Sequence, residues 1–310
     1  MSKKFIIFLC AMIFYILFIV YSDFHNFSTA VFEFKYQLMG PIIIIAVIEV
    51  ILKGLRQQIL LKKSKIIIPL KSSILLYLSG LSMTITPAGS GQIIKSYYLK
   101  KKYSFPISKT LPIIIIERWH DLLAITLLIM ISLIFVHSTI LSILIIAILG
   151  VLSITFTACR ISKLFSFLKW LSRKIPVVNK NLDKINESYN GLRVITGVKI
   201  TVASWFMSMV CWSLDAIVVK LIFVGFGVKL SIFHTIVAIY SSLLVGVVTL
   251  IPGGLGVTEV TAVGLLLKAG IVLSLASSIT LFYRIMSVWF PTLIGFVMIK
   301  TFLSQKIELD

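Results

Sequence analysis

The sequence predicts an all-α polytopic membrane protein with about six full spans plus two re-entrant broken-helix hairpins in inverted repeats. Three observations carry that expectation. Of 310 residues, 59% are hydrophobic and only 13% charged, with a mean hydropathy of +1.07, far from the composition of a soluble domain. Lysine and arginine outnumber acids 30 to 11, yet they concentrate in short stretches beside apolar runs, as in cytosolic loops. The pattern P-x-G-x-G occurs twice, at Pro87-Ala88-Gly89-Ser90-Gly91 and at Pro252-Gly253-Gly254-Leu255-Gly256. Proline removes a backbone donor and glycine permits unusual backbone angles, so each stretch is expected to break a helix in or near the membrane.

The same composition excludes several functions. A net charge of +19 would point to nucleic acid in a soluble protein, but here lipid headgroups and topology account for it, and no nucleic-acid partner is expected. The longest polar tract, about Cys159 to Lys199, is too short for a separate soluble domain. Cys10, Cys159 and Cys211 show neither a disulfide framework nor metal-ligand spacing. No cofactor signature is present, so neither a cofactor nor enzyme activity is expected.

The elements follow in order. Lys3-Lys4 and the uncharged run Phe5 to Ser22 begin like a signal peptide. The run is long for one and no A-x-A cleavage pattern follows, so it is expected to be a retained first span with its N-terminus inside. Asp23 to Gln37 lacks a positive excess and is expected as an external loop. The second span, about Leu38 to Leu60, carries Glu49 and Lys53 at helical i,i+4 spacing, with Arg56 placed to snorkel toward the cytosol. Six basic residues and no acid lie between Lys53 and Lys71, which assigns that loop to the cytosol.

Apolar sequence from Pro69 reaches the first break, and Lys100-Lys101-Lys102 follow soon after. Both ends of this stretch therefore favour the cytosol, which predicts a re-entrant hairpin over about 70–102. Ile107 to Val136 is the next span, with Glu117-Arg118-Trp119-His120-Asp121 about ten residues in. At ~1.5 Å per residue this cluster lies ~15 Å deep, near the middle of a ~30 Å hydrocarbon core. A turn at His137-Ser138 leads to a span ending near Ala158, and Arg160 to Lys199 then supplies nine basic residues against Asp183 and Glu187, expected to lie against anionic lipid at the cytosolic face. Ile200 to Val224 carries Asp215, Gly225 to Ser231 forms an external turn, and Ile232 to Ile251 reaches the second break. Glu259 and Lys268 follow, and a last span from about Ile271 to Ile299 carries Arg284.

Pro87 and Pro252 lie 165 positions apart (252 − 87), and Arg118 and Arg284 lie 166 apart (284 − 118). The chain is expected to be one domain over 1–310, with a first half at about 1–158, a basic cytosolic loop at about 159–199 and a second half at about 200–310. With both termini cytosolic, the second hairpin enters from outside and the halves become inverted copies.

Paired Gly/Pro-interrupted segments point to a transporter binding site. The candidate substrate-binding residues are Pro87, Gly89, Gly91, Glu117, Arg118, Asp121, Asp215, Pro252, Gly254, Gly256, Glu259 and Arg284. No catalytic or metal-binding set is assigned. Each break offers freed backbone amides and a half-helix N-terminus for an anionic group, or else simply lets helices pack closely. Arg118 and Arg284 are the candidate phosphate contacts, because guanidinium stays charged at depth and binds phosphate oxygens bidentately. The alternative is structural pairing with Glu117, Asp121, Asp215 or Glu259. Glu117 and Glu259 are also candidates for a cationic headgroup or for protons, and Asp215 is a candidate by its depth. His120 reads as a hydrogen-bonding partner more than a proton relay. Lys95 and Lys100 to Lys102 read as positive-inside determinants at the cytosolic mouth more than as a lipid-attracting patch.

T-P-A-G-S-G-Q-I-I-K-S-Y-Y-L-K-K-K-Y, I-I-E-R-W-H-D-L-L-A, I-P-G-G-L-G-V-T-E-V-T-A-V-G and a late Y-R together resemble the transmembrane region of lysylphosphatidylglycerol synthases, the flippase-like or UPF0104 family. The resemblance covers nearly the whole chain, although Ala88 and Gln92 depart from its usual pattern. In bifunctional members this region is implicated in moving an aminoacylated phospholipid between leaflets, while a soluble C-terminal domain transfers the aminoacyl group. The chain ends about ten residues after its last span, so the resemblance implies the translocating part without the transferase. The expected partner is a membrane lipid with an anionic or zwitterionic headgroup, such as a phospholipid or polyprenyl phosphate, in the cell membrane. Transport of a small soluble anion is the alternative. A membrane-embedded transferase using Glu117, Asp121 and Asp215 as acid and base is a third possibility, without a nucleophile motif behind it.

Overall fold

The computed structural model describes residues 24–160 and 182–304. The first apolar run at 5–22, most of the basic loop (161–181) and the C-terminal residues beyond 304 lie outside the described residues. Every regular element among the described residues is helical. In chain order these are α1 (Phe24–Phe32), α2 (Met39–Lys63), α3 (Leu70–Leu81), α4 (Ile94–Tyr103), α5 (Ile107–Val136), α6 (Thr139–Arg160), α7 (Leu182–Ile195), α8 (Val198–Gly225), α9 (Ile232–Val248), α10 (Val257–Lys268), α11 (Leu273–Arg284) and α12 (Phe290–Ser304). Five stretches are long and apolar enough to cross a membrane: Tyr36–Lys63, Ile107–Val136, Thr139–Thr157, Val198–Gly225 and Leu273–Ser304. They are five of the six spans expected, and the sixth falls at 5–22. The protein is a multi-pass membrane protein.

Helix boundaries follow local chemistry. α5 opens after Pro106 and closes at His137, which adopts a left-handed conformation (φ 54°) and donates its amide to the Leu133 carbonyl. Inside α5, Pro112 has no amide with which to bond the Ser108 carbonyl one turn earlier. Ser188 Oγ of α7 donates to that freed carbonyl at 2.9 Å, and Ser108 Oγ donates to Glu187. α7 therefore lies against the start of α5, where Gly191 meets the Pro112 ring. The expected loop at Asp23 to Gln37 contains α1, and Phe34 just beyond it packs between Phe226 and Phe282.

α3 has 12 residues and α4 has 10, so at ~1.5 Å rise each covers only about half of a ~30 Å core. Between them run successive tight turns and a 3-10 helix over Pro87–Ile93. The second interruption, Pro252–Gly254, separates α9 from α10, and these two helices pack on each other. α11 and α12 form one long helix through a π-helical turn at Ile285–Trp289, directly after Arg284. α12 packs closely on α3: a Cβ at Gly295 would stand 2.1 Å from the Ser82 amide nitrogen.

Two apolar cores result. One gathers Leu60, Ile66, Leu99, Ile113, Ile195 and Phe302 at the end where the basic loops lie. The other gathers Ile42, Ile129, Ile222, Ile239, Leu266 and Ile279 toward the opposite end. Glu49, Lys53 and Arg56 of α2 and Glu117, Arg118, His120 and Asp121 of α5 fall between the two cores along their helices, whereas Asp215 of α8 lies within the second core.

Candidate functional site

The layer between the cores is a set of ion pairs linking α2, α4 and α5, joined to α8 by a hydrogen bond to Ser208. Lys53 and Glu49 pair on α2 as their spacing requires, and the Lys53 ammonium lies 4.9 Å from the centroid of the Trp212 ring. Arg56 does not snorkel. It is wholly buried, and its guanidinium holds Asp121 bidentately, with Nη1 2.5 Å from Oδ1 and Nη2 3.3 Å from Oδ2; Nη1 also donates to Ser208 Oγ. A carboxylate one helix away offsets the cost of burying the charge, so the side chain turns inward and not toward the headgroups.

Lys95 is likewise not a cationic group at the cytosolic mouth. It is 1% exposed, its stem lies over Gly80, and its ammonium donates to Gln57 Oε1 at 2.9 Å and to Glu117 Oε2 at 2.5 Å. Gln57 is fixed in turn through its own amide, which donates to the Ser73 carbonyl at 2.9 Å. Of the Lys100-Lys101-Lys102 cluster, Lys102 is also buried and donates to the Phe302 carbonyl at 2.7 Å.

Arg118 differs from these pairs. Its Nη2 donates to Gln92 in the first break, and its Nη1 stands 3.9 Å from Asp121 Oδ2, a carboxylate already held by Arg56. The side chain is 32% exposed and its Nε has no hydrogen-bond partner. Other polar atoms without partners lie close by on α5 and α2: Glu117 Oε1, His120 Nε2 and Arg56 Nε. His120 meets Ser204 Oγ through Nδ1 at 2.9 Å.

Around the second break Arg284 and Glu259 are held by each other and by the backbone of the break. Arg284 is 2% exposed; its Nε donates to Glu259 Oε1 at 2.7 Å and its Nη2 donates to the Gly253 carbonyl. Glu259 Oε2 accepts the Gly256 amide at 2.8 Å, so one carboxylate both caps α10 and holds the arginine. The break turns through left-handed glycines at Gly253, Gly254 and Gly256 (φ 62°, 65° and 82°), a backbone that L side chains resist. At Gly254 a Cβ would also lie 2.3 Å from Thr258 Oγ1. Pro252 begins this turn.

The two breaks touch. Ile85, just before Pro87, would stand 3.1 Å from a Cβ at Gly253, and the 3-10 segments pack against each other and against α9. In the first break, Gly91 donates its amide to Thr86 Oγ1 at 2.6 Å, while Pro87 and Gly89 lie in the same 3-10 segment. Asp215, without a partner within its own stretch of sequence, accepts hydrogen bonds from Tyr240 (2.9 Å) and Tyr283 (3.3 Å) on α9 and α11. It also lies within electrostatic reach of Lys53 and Glu49. Glu117, Arg118 and Asp121 thus gather with Arg56, Lys95 and Gln92 beside the first break, while Glu259 and Arg284 close the second. Sequence reasoning missed Arg56, Lys95 and Gln57 as members of this layer. Only Arg56 carried a signal, its place in the apolar run of α2, where an ionisable side chain calls for a partner or a path to the surface. Among the described residues no group of three or more His, Cys, Asp or Glu side chains is arranged to hold a metal ion.

A bundle of apolar helices around a buried layer of ion pairs, with two Pro/Gly interruptions meeting inside it, defines a multi-pass α-helical membrane protein with a polar interior. The chain belongs to the family of the lysylphosphatidylglycerol synthase TM region, whose model matches residues 5–295. It is similar to a UPF0104 membrane protein of Pyrococcus horikoshii, 25% identical over 240 residues that cover 69% of this chain and 72% of that one. Two UPF0104 membrane proteins of Methanocaldococcus jannaschii are also similar. One is 30% identical over 69% of this chain and 91% of its own length, the other 28% identical over 77% and 76%. No solved structure matches.

Proposed function

We propose that this protein is a lipid translocase that carries an anionic or zwitterionic headgroup, of a phospholipid or a polyprenyl phosphate, through the polar layer while the chains stay in the bilayer. The observation that carries the proposal is Arg118. Arg56, Lys95 and Arg284 each have a carboxylate within 2.7 Å, whereas Arg118 has only an oxygen shared with Arg56, at 3.9 Å. Its partial exposure and free Nε fit a guanidinium that exchanges Gln92 and Asp121 for phosphate oxygens. Arg284 then serves as the anchor of the second break and a backbone neighbour of the site, with Asp215 and its two tyrosines on the far side. The family's printed description, a synthase region for a modified phospholipid, agrees with a lipid substrate.

In this reading the stretches around the two breaks are re-entrant hairpins of inverted repeats, with both termini cytosolic and the basic loop against anionic headgroups in the cell membrane. Cysteine labelling tests it: single cysteines near Lys71 and Lys101 should react from the cytosol, and those near Ser231 and Lys268 from outside. Labelling of all four from one side contradicts the inverted arrangement. The lipid assignment is tested in reconstituted vesicles by leaflet exchange of a fluorescent phospholipid, measured in parallel with uptake of inorganic phosphate. Exchange without uptake supports the lipid. Uptake without exchange transfers the same site to a small soluble anion.

A further inference from the structure

A second cationic site lies at the other end of the molecule. A cavity of about 440 Å³ is bordered by Lys35, Lys220 and Lys229 together with the turn Gly227 to Ser231. No carboxylate is among its described lining residues. Its walls are tied: the Lys35 amide donates to the Gly225 carbonyl at 3.0 Å, and the Lys220 ammonium donates to the Leu230 carbonyl. Ser231 caps α9, so the positive end of a 17-residue helix opens at the same place.

The position of these lysines needs explaining. The basic residues at 62–65 and 100–102 sit at the end of the apolar core formed by Leu60, Ile66 and Leu99, where the positive-inside rule accounts for them. Lys35, Lys220 and Lys229 sit at the opposite end, beside the core containing Ile222 and Ile239 and near Phe135, which stacks on Phe233. Topology gives no reason for a cluster of lysines there. Three lysines border one cavity, and an anion bound there would offset the repulsion between their charges. The remaining wall is apolar, from Val224, Val228 and Leu230, which suits a ligand with a charged head and an apolar continuation. Lys220 also lies five residues beyond Asp215 on α8, ~7.5 Å along the helix at ~1.5 Å per residue. The cavity therefore stands less than two turns from Asp215.

We infer that this three-lysine cavity is a binding site for a phosphoryl anion, distinct from the Arg118 site. The shared chemistry is a phosphate mono- or diester, supplied either by a lipid headgroup or by free phosphate. The inference stands whether or not the protein translocates lipid.

Native mass spectrometry of the detergent-purified protein, titrated with short-chain phosphatidylglycerol and separately with inorganic phosphate, tests it. The variant Lys35→Gln/Lys229→Gln changes two exposed residues and leaves the part-buried Lys220 in place, so it is expected to fold. Lys62→Gln/Lys63→Gln removes the same charge from the basic end. Occupancy by at least one probe should fall about tenfold or more in the first variant and stay near wild type in the second. Adding Lys220→Gln should remove what remains. If that probe is phosphatidylglycerol, not displaced by phosphate, the ligand is a headgroup. If it is phosphate, with no such loss for the lipid, the ligand is the free anion. Undiminished binding of both probes in the first variant, or equal loss in the two variants, overturns the inference.

Discussion

The two breaks use the same parts with the signs of charge reversed. After the first, the helix leaving the break carries the cation, Lys95, and the next long helix carries its carboxylate, Glu117. After the second, the leaving helix carries the carboxylate, Glu259, and the long helix carries the cation, Arg284. Arg118 and Arg284 look equivalent in sequence, and each reaches a group of its own break, Gln92 or the Gly253 carbonyl. In the ion-pair layer, however, the counterpart of Arg284 is Glu117. Arg118, one position along α5, is thereby left without a carboxylate of its own. Each break has one tight ion pair, and Arg284 is part of its own whereas Arg118 is not.

Stability should separate the two arginines most widely. Arg284→Ala leaves Glu259 buried without its cation and should cost ~3–5 kcal/mol, whereas Arg118→Ala, partly exposed and outside a tight pair, should cost under ~1 kcal/mol. Denaturation of both variants in detergent, followed by tryptophan fluorescence, reads the difference. Equal losses would erase the contrast between the breaks. Lys95→Met should resemble Arg284→Ala, at about 3 kcal/mol, because it strands Glu117 in the same way. A cost like that of a surface lysine would show that the first break has no locked pair at all. Within the breaks, Gly254→Ala meets both a left-handed backbone and Thr258 and should cost ~1–3 kcal/mol. Ser90→Ala, at an exposed position of the first break, should stay within about 0.5 kcal/mol.

Local patterns carried much of this fold into view. The span expected over Ile107 to Val136 is α5 to the residue, because a long apolar run bounded by Pro106 and His137 admits few alternatives. Both breaks were visible as proline and glycine clusters, and the Glu49–Lys53 pair as an i,i+4 spacing. Pairings across the chain were not visible. Arg56 meets Asp121 65 residues away, and nothing near Arg56 distinguishes an inward arginine from one that snorkels. Lys95 sits close to Lys100-Lys101-Lys102 and read as part of that basic cluster, although a helix turn places it against Gly80 and Glu117. The partners of Asp215, Tyr240 and Tyr283, come from two further helices, and only tertiary packing brings them to it.

Arg118 carries the central claim. Leaflet exchange of a fluorescent phospholipid should be measured in vesicles containing wild type, Arg118→Lys or Arg118→Ala at equal folded amounts. Loss of bidentate phosphate binding should lower exchange by at least about tenfold in Arg118→Ala, with Arg118→Lys in between. Wild-type exchange in a folded Arg118→Ala protein would contradict the account.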